Sequence, residues 1–263
     1  VIHVAQGGGI LEQFRLDGRV ALVTGGGRGL GLGIATALAE AGADVVIVGQ
    51  TASPDAVAAI EATGRRAWEI PTDLLAATPD DLTALVARVV ELAGRVDILV
   101  NNAGIIRRQP ALEFSAENWD DVIDLNLSTV FYLSQAVARV LVEQGEGGNI
   151  INIASMLSFQ GGKIVPSYTA SKSAVAGLTK ALASEWSGLG INVNAIAPGY
   201  FATDNTAQLR ADEGRSAEIL GRIPAGRWGT PEDLQGAAVF LASPAAAYVH
   251  GSVLAVDGGW LTR

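Results

Sequence analysis

Cysteine is absent from the 263 residues, so disulfides and thiolate metal sites are excluded. Histidine occurs only at His3 and His250, too few for an imidazole-based centre, and no bound metal is expected. Charge is sparse and tilts one way: 17% of residues are charged and the formal net charge is −9. Neutralising a phosphate backbone calls for clustered Lys and Arg, so nucleic acid is not an expected partner. No uncharged apolar run reaches the ~18 residues of a membrane span. Residues 1–9 lack the basic segment and apolar core of a secretory signal. A cytoplasmic chain with no membrane partner is therefore expected.

What is present is a globular composition. Hydrophobic residues make up 49% of the chain, and the length suffices for one sizeable core. Short β-branched runs fall at Val20–Thr24, 45–48, 98–100, 149–153, 191–196 and Val253–Val256, with a weaker one at 67–70. Several are apolar without alternation, as in parallel strands covered on both faces. Helical spacing separates them: Leu30, Ile34, Leu38 and Ala41 follow the first run, and Leu82, Leu85, Val86 and Val89 precede the run at 98–100. Thr78-Pro79 reads as a helix cap and first-turn pair. The alternation predicts an α/β fold, a single doubly wound parallel sheet with helices on both faces, over residues 14–263. Residues 1–13 read as a poorly ordered extension. Residues 200–228 are polar and arginine-bearing, and read either as a small helical lid or as a solvated surface pair of helices.

Four motifs carry chemistry. Thr24 leads into Gly25, Gly26, Gly27, Arg28, Gly29, Leu30 and Gly31, a glycine-rich turn between a strand and a helix. Such a turn lets backbone amides approach a pyrophosphate, and the helix N-terminus favours that anion. The Walker lysine is missing, which disfavours an ATP site. Asp73-Leu74 after the third strand suits either an adenine contact or a cap. Asn101-Asn102-Ala103-Gly104 after the fourth strand offers small residues for a ribose, and Asn101 also suits a tie between strands. Tyr168 and Lys172, four apart, share one helix face. An ammonium beside a phenol favours the phenolate and brings it toward acid/base range. Ser155, just past the run at 149–153, is placed to polarise a carbonyl.

Taken in order, TGGGRGLG at 24–31, Asp73, NNAG at 101–104, Asn126 in DLNL, Ser155, YTASK at 168–172 and PGYFAT at 198–203 resemble the short-chain dehydrogenase/reductase family. The resemblance runs from about Leu16 to the C-terminus. It implies that Tyr168 exchanges a proton with the substrate oxygen and that Ser155 binds that oxygen. It further implies that Lys172 holds the nicotinamide ribose and lowers the tyrosine, while Asn126 positions a water. Pro198, Gly199 and Phe201 would border the nicotinamide carboxamide, and Thr203 its phosphate side. Family members are commonly homotetramers that pair through two long helices and the last strand.

The cofactor is NADP or NAD. Gln50 stands where NAD-selective relatives often carry an acid, and Arg28 suits a 2′-phosphate or is a solvated loop charge. The residues lean toward NADP and the resemblance toward NAD. Segments 105–115, 153–162 and 197–229 resemble the family's sugar-acid branch, acting on gluconate, 5-ketogluconate or 2-keto-3-deoxygluconate. A sugar acid needs a cationic clamp, for which Arg107, Arg108, Gln160, Lys163, Asn205 and Arg210 are candidates, though Arg107-Arg108 reads equally as a solvated pair. Two competing readings are a 3-oxoacyl-carrier-protein reductase, disfavoured by the chain's acidity, and a non-catalytic nucleotide-binding protein, disfavoured by the intact Tyr168, Lys172, Ser155 and Asn126.

Overall fold

The computed structural model describes residues 9–263. Its elements alternate as the sequence predicts: β1 (Val20–Thr24), α1 (Gly29–Glu40), β2 (Asp44–Gly49), α2 (Pro54–Glu61), β3 (Ala67–Pro71), α3 (Pro79–Ala93) and β4 (Ile98–Asn101). There follow α4 (Ala116–Ile123), α5 (Thr129–Gln144), β5 (Gly148–Ile153), α6 (Pro166–Trp186), β6 (Ile191–Pro198), α7 (Ala207–Ala211), α8 (Glu213–Arg222), α9 (Glu232–Ala242) and β7 (Val253–Val256). The seven strands form one parallel sheet in the order β3-β2-β1-β4-β5-β6-β7. The order reverses between β1 and β4, and in open α/β sheets the crevice beyond the strand ends at that point is where ligands bind.

The apolar runs are central strands because helices cover both faces. On one face Leu82, Leu85, Val86 and Val89 of α3 pack with Leu133 and Leu141 of α5 against Leu22, Val46 and Leu99. On the other, Ile34 and Leu38 of α1 and Leu234 and Leu241 of α9 cover Val23, Ile47 and Val100. Burial of a side chain of this size contributes about 1.5–3 kcal/mol. The Thr78 cap is present as a reciprocal box: Asp81 N–H donates to Thr78 Oγ1 at 3.2 Å, and Thr78 N–H donates to the Asp81 carboxylate at 2.9 Å.

α4 and α5 run together through a π turn at Asp124–Ser128, making one 29-residue helix, 116–144. By length and composition alone this helix could cross a membrane. It is instead a core helix, with Val122, Leu125, Val130, Leu133, Val137 and Leu141 buried against the rest of the fold and Asp120, Asp121 and Asp124 along its first half.

Of the expected extension 1–13, residues 1–8 lie outside the described residues. Ile10–Phe14 forms a 3-10 turn, and the Phe14 ring lies 6.3 Å from that of Phe240 on α9. The polar stretch after β6 forms α7 and α8 outside the sheet. α8 docks through Ile219 and Ile223, buried with Met156 and Trp260, and the Arg222 guanidinium lies 3.9 Å above the Trp260 ring.

Candidate active site

The turn after β1 is shaped by its glycines. At Gly31 a β-carbon would collide with the Gly25 carbonyl oxygen and lie 2.5 Å from Asn102 Nδ2, so only a bare backbone lets the turn close onto α1. Asn102, which sequence reasoning did not single out, holds this turn. Its Nδ2 donates to Thr24 O at 2.9 Å and to Gly25 O at 3.2 Å, while Thr24 Oγ1 accepts from Asn102 N and Ala103 N, both at 3.0 Å. The start of α1 has no side-chain cap, so the N–H groups of its first turn are suited to a pyrophosphate.

The other expected cofactor contacts line the same edge of the sheet. Gln50, after β2, donates to Asp73 after β3 at 3.1 Å, and Asp73 accepts from Leu75 N–H at 3.1 Å. Leu74 is buried. Asn101 is buried as well: its Nδ2 donates to Asn152 Oδ1 and Ser134 Oγ, both at 2.9 Å, so its side chain ties β4 to β5 and only its backbone lies toward the crevice. Beyond β6, Pro198 and Gly199 lead to Phe201, which bridges to Gly229 and is buried. Thr203 sits beside the first turn of α1, its methyl 3.9 Å from where a β-carbon on Gly29 would lie.

Ser155, Tyr168, Lys172 and Asn126 converge at the ends of β4 and β5. The α6 spacing puts Lys172 Nζ 5.7 Å from the Tyr168 ring centroid, and Nζ donates to Ile153 O at 2.6 Å. Asn126, turned inward by the π turn, accepts from Ile105 N at 2.9 Å and donates to Ile105 O at 2.9 Å and Ser171 Oγ at 3.3 Å. Gly104 fits between them: a β-carbon there would lie 3.0 Å from Asn126 Oδ1 and 3.8 Å from Lys172 Nζ. A side chain at Gly104 would press on Asn126.

The electrostatics differ from the sequence expectation. Burial pushes the Tyr168 phenol above its ordinary value, and the Ser155 hydrogen bond and the Arg108 charge oppose this only in part. Lys172 is not among the groups that lower it. Burial instead pulls the Lys172 ammonium down to about 8. Desolvation is the first cause of the shift at both residues.

A stability consequence follows. The unfolded chain keeps the lysine proton up to its ordinary value of 10.5, whereas the folded chain releases it near 8. Between these values the unfolded state binds more protons, so folding gains stability as pH rises through the window. A Lys172→Met variant lacks this titration. In urea melts wild type should gain on the variant between about pH 8 and 10; parallel curves would show that burial does not penalise the ammonium.

Substrate-side groups sort themselves at the mouth. Arg107 is committed to Asp121 of α4 at 2.9 Å. Arg108, its neighbour in the loop after β4, is exposed, and its charge is felt by both Tyr168 and Tyr200. Tyr200 also feels Arg215 and Arg222 of α8, beside which it packs through Trp260. Arg210 donates to Thr203 O at 3.2 Å, Gln160 is part-buried and Lys163 exposed, and the Asn205 side chain lies outside the described residues.

The comparisons agree with this geometry. A family model described as enoyl-(acyl carrier protein) reductase, of the short-chain alcohol dehydrogenase type, matches residues 25–261. The chain is 60% identical over 257 residues to a 2-dehydro-3-deoxy-D-gluconate 5-dehydrogenase of Dickeya dadantii, covering 97% of this chain and 100% of that one. A solved structure from Agrobacterium tumefaciens with bound NADP superposes with a TM-score of 0.89 at 54% identity, covering 95% of this chain and 99% of the other. A gluconate 5-dehydrogenase structure from Burkholderia cenocepacia, in complex with NADP and tartrate, gives 0.91 at 41% identity over 96% and 99% of the two chains. An oxidoreductase by its relatives, with a doubly wound sheet and these motifs in this order, the chain belongs to the short-chain dehydrogenase/reductase family.

Proposed function

We propose that this protein interconverts a secondary alcohol and a ketone on a sugar acid of the gluconate, 5-ketogluconate or 2-keto-3-deoxygluconate type, with NADP or NAD as the hydride partner. The observation that carries this is the meeting of Ser155, Tyr168 and Lys172 with Arg108, whose charge reaches both Tyr168 and Tyr200. The names of the relatives support the same substrate class.

The glycine turn held by Asn102, together with Gly104, Lys172 and the Phe201–Thr203 segment, would hold a dinucleotide beyond the strand ends. The bound nicotinamide supplies or accepts the hydride. Ser155 donates a hydrogen bond to the substrate oxygen, and Tyr168 gives that oxygen a proton in reduction or takes one in oxidation. Lys172 would hold a ribose hydroxyl of that cofactor and, with the water that Asn126 positions, would pass the proton onward. Arg108 pairs with the carboxylate, because a carboxylate brought into the cleft without a cation is costly. α7 and α8 act as a lid over the cleft. The 3-oxoacyl reading has less support, because the names of the relatives point to sugar acids.

A neutral polyol of matching stereochemistry should be a much poorer substrate than the acid. Arg108→Ala should lower kcat/KM for the acid by about tenfold or more, the scale of one charge-assisted hydrogen bond, and leave the polyol almost unchanged. Equal losses on both would remove Arg108 as the clamp. Equal kcat/KM for acid and polyol in the wild type would remove the sugar acid itself.

Assembly as a cytoplasmic homotetramer belongs to the same proposal. Tyr132 and Val142 on α5 are exposed apolar residues on an element expected to pair, and the exposed Leu189 and Tyr248 flank the other two. Light scattering of the purified chain tests it.

A further inference from the structure

Arg28 stands between two neighbourhoods. Its preceding residue, Gly27, abuts the loop after β2, where a β-carbon on Gly27 would lie 2.9 Å from Ser53 Cβ. That loop is anchored from beneath, because Ser53 N–H donates to the Glu69 carboxylate of β3 at 2.5 Å. The end of β2 is the adenosine side of the crevice in a doubly wound sheet. Its following residue, Gly29, abuts Thr203, the last residue before the helical segment outside the sheet. The Arg28 side chain takes the second direction: its Nη1 donates to the Asp204 carboxylate at 3.3 Å. Both side chains are about four-fifths exposed, at 82% and 79%, so little besides this pairing holds the arginine in place. The other arginines near the start of the sheet are committed elsewhere, Arg65 and Arg66 to Asp44, and Arg19 and Arg95 to Asp97.

We propose that Asp204 is a cofactor-selectivity residue, which competes with the 2′-phosphate of NADP for Arg28 and so weakens NADP relative to NAD. This rests on the reading of Arg28 as the 2′-phosphate partner. Asp204 lies on the Thr203 side of the glycine turn and a 2′-phosphate would lie on the β2 side, so a guanidinium turned to one leaves the other. NADP binding must break the Arg28–Asp204 pair, whereas NAD, with a neutral 2′-hydroxyl, leaves it intact. The pair also joins the glycine turn to the first residue of the segment leading into α7 and α8. NAD therefore binds with that strap in place, and NADP binds with it released. The effect is reciprocal by linkage: the factor by which the pair weakens NADP is the factor by which NADP weakens the pair.

The size follows from exposure. A pair this open to water and salt is weak, so Asp204→Asn should tighten NADP by about two- to fivefold and leave NAD unchanged. Arg28→Ala should weaken NADP by about tenfold or more and spare NAD. The decisive comparison is a four-protein cycle of wild type, Asp204→Asn, Arg28→Ala and the double variant. Dissociation constants for NADP and NAD would be measured at low salt by quenching of tryptophan fluorescence. The proposal expects the Asp204→Asn gain to vanish in the Arg28→Ala background and to shrink as salt rises. A gain that persists without Arg28, a gain equal for both cofactors, or no gain at all overturns it. The underlying reading fails separately: if Arg28→Ala weakens NADP and NAD alike, the arginine only shapes the turn, and both conclusions fall together. If Arg28→Ala is selective and Asp204→Asn is silent, the competition alone is wrong.

Discussion

Tyr168→Phe is expected to lose at least ~10²-fold in kcat while folding and cofactor binding stay near wild type. The substitution removes one oxygen and keeps the ring. The ring is part-buried on the first turn of α6, and the buried neighbours Val165, Ser167 and Ser171 do not depend on the hydroxyl. Lys172 keeps its bond to Ile153 O, which does not involve the phenol. What is lost is the group that shares a hydrogen bond with Ser155 and exchanges the substrate proton. The control is cofactor binding, followed by fluorescence: an unchanged dissociation constant with a collapsed kcat isolates the proton step. A variant that keeps most of its kcat would sink the proposed mechanism.

At the opposite edge of the sheet, Asp97→Ala should destabilise the fold by about 3 kcal/mol without altering kcat of the protein that remains folded. The carboxylate is 1% exposed and accepts four hydrogen bonds: Val20 N–H at 2.8 Å, Arg19 at 3.0 Å, and Arg95 at 2.8 and 2.6 Å. Its own carbonyl accepts Asn149 N–H at 2.9 Å. One residue thus joins the starts of β1, β4 and β5. Alanine leaves the Val20 N–H without its acceptor and strips two guanidinium groups of their shared anion. The arginines are about one-third exposed, at 38% and 32%, and can turn to water, which places the loss at the lower end for a broken buried pair. Asp97→Asn should fall between, since its amide oxygen still accepts from Val20. Urea melts give the stability, and assays well below the melting range give kcat. A loss under about 1 kcal/mol would mean that water replaces the carboxylate in full.

The legibility of this chain divides by the range of the interactions. Strand and helix placement was readable because it is local: unbroken Val, Ile and Leu runs can only be covered strands, and Leu82-Leu85-Val86-Val89 can only present one helix face. The Thr78 box and the Tyr168–Lys172 face follow from spacing in the same way. The direction of the pKa effects did not follow. Spacing shows that an ammonium and a phenol are neighbours, but desolvation depends on everything packed around them, and here it dominates. Nor could adjacent arginines be sorted. Arg107 and Arg108 are identical in one dimension, and only the position of Asp121 on α4 turns one of them away from the cleft.

The order of residues determined, by itself, that the chain forms a doubly wound sheet, that a glycine turn opens its first helix, and that a tyrosine and a lysine share a helix face near a serine. These are consequences of periodicity, backbone freedom and short spacing, which act within a few residues of one another. The tertiary structure alone decided that Asn102 locks the glycine turn, that Asn126 is swung inward by a π turn to meet Ile105 and Ser171, and that Asp97 binds three strands. It alone decided that Arg28 faces Asp204 across 176 positions of sequence. Each of these pairs groups that are distant along the chain. Such contacts are set by where packed strands and helices place their ends, and no local pattern records that.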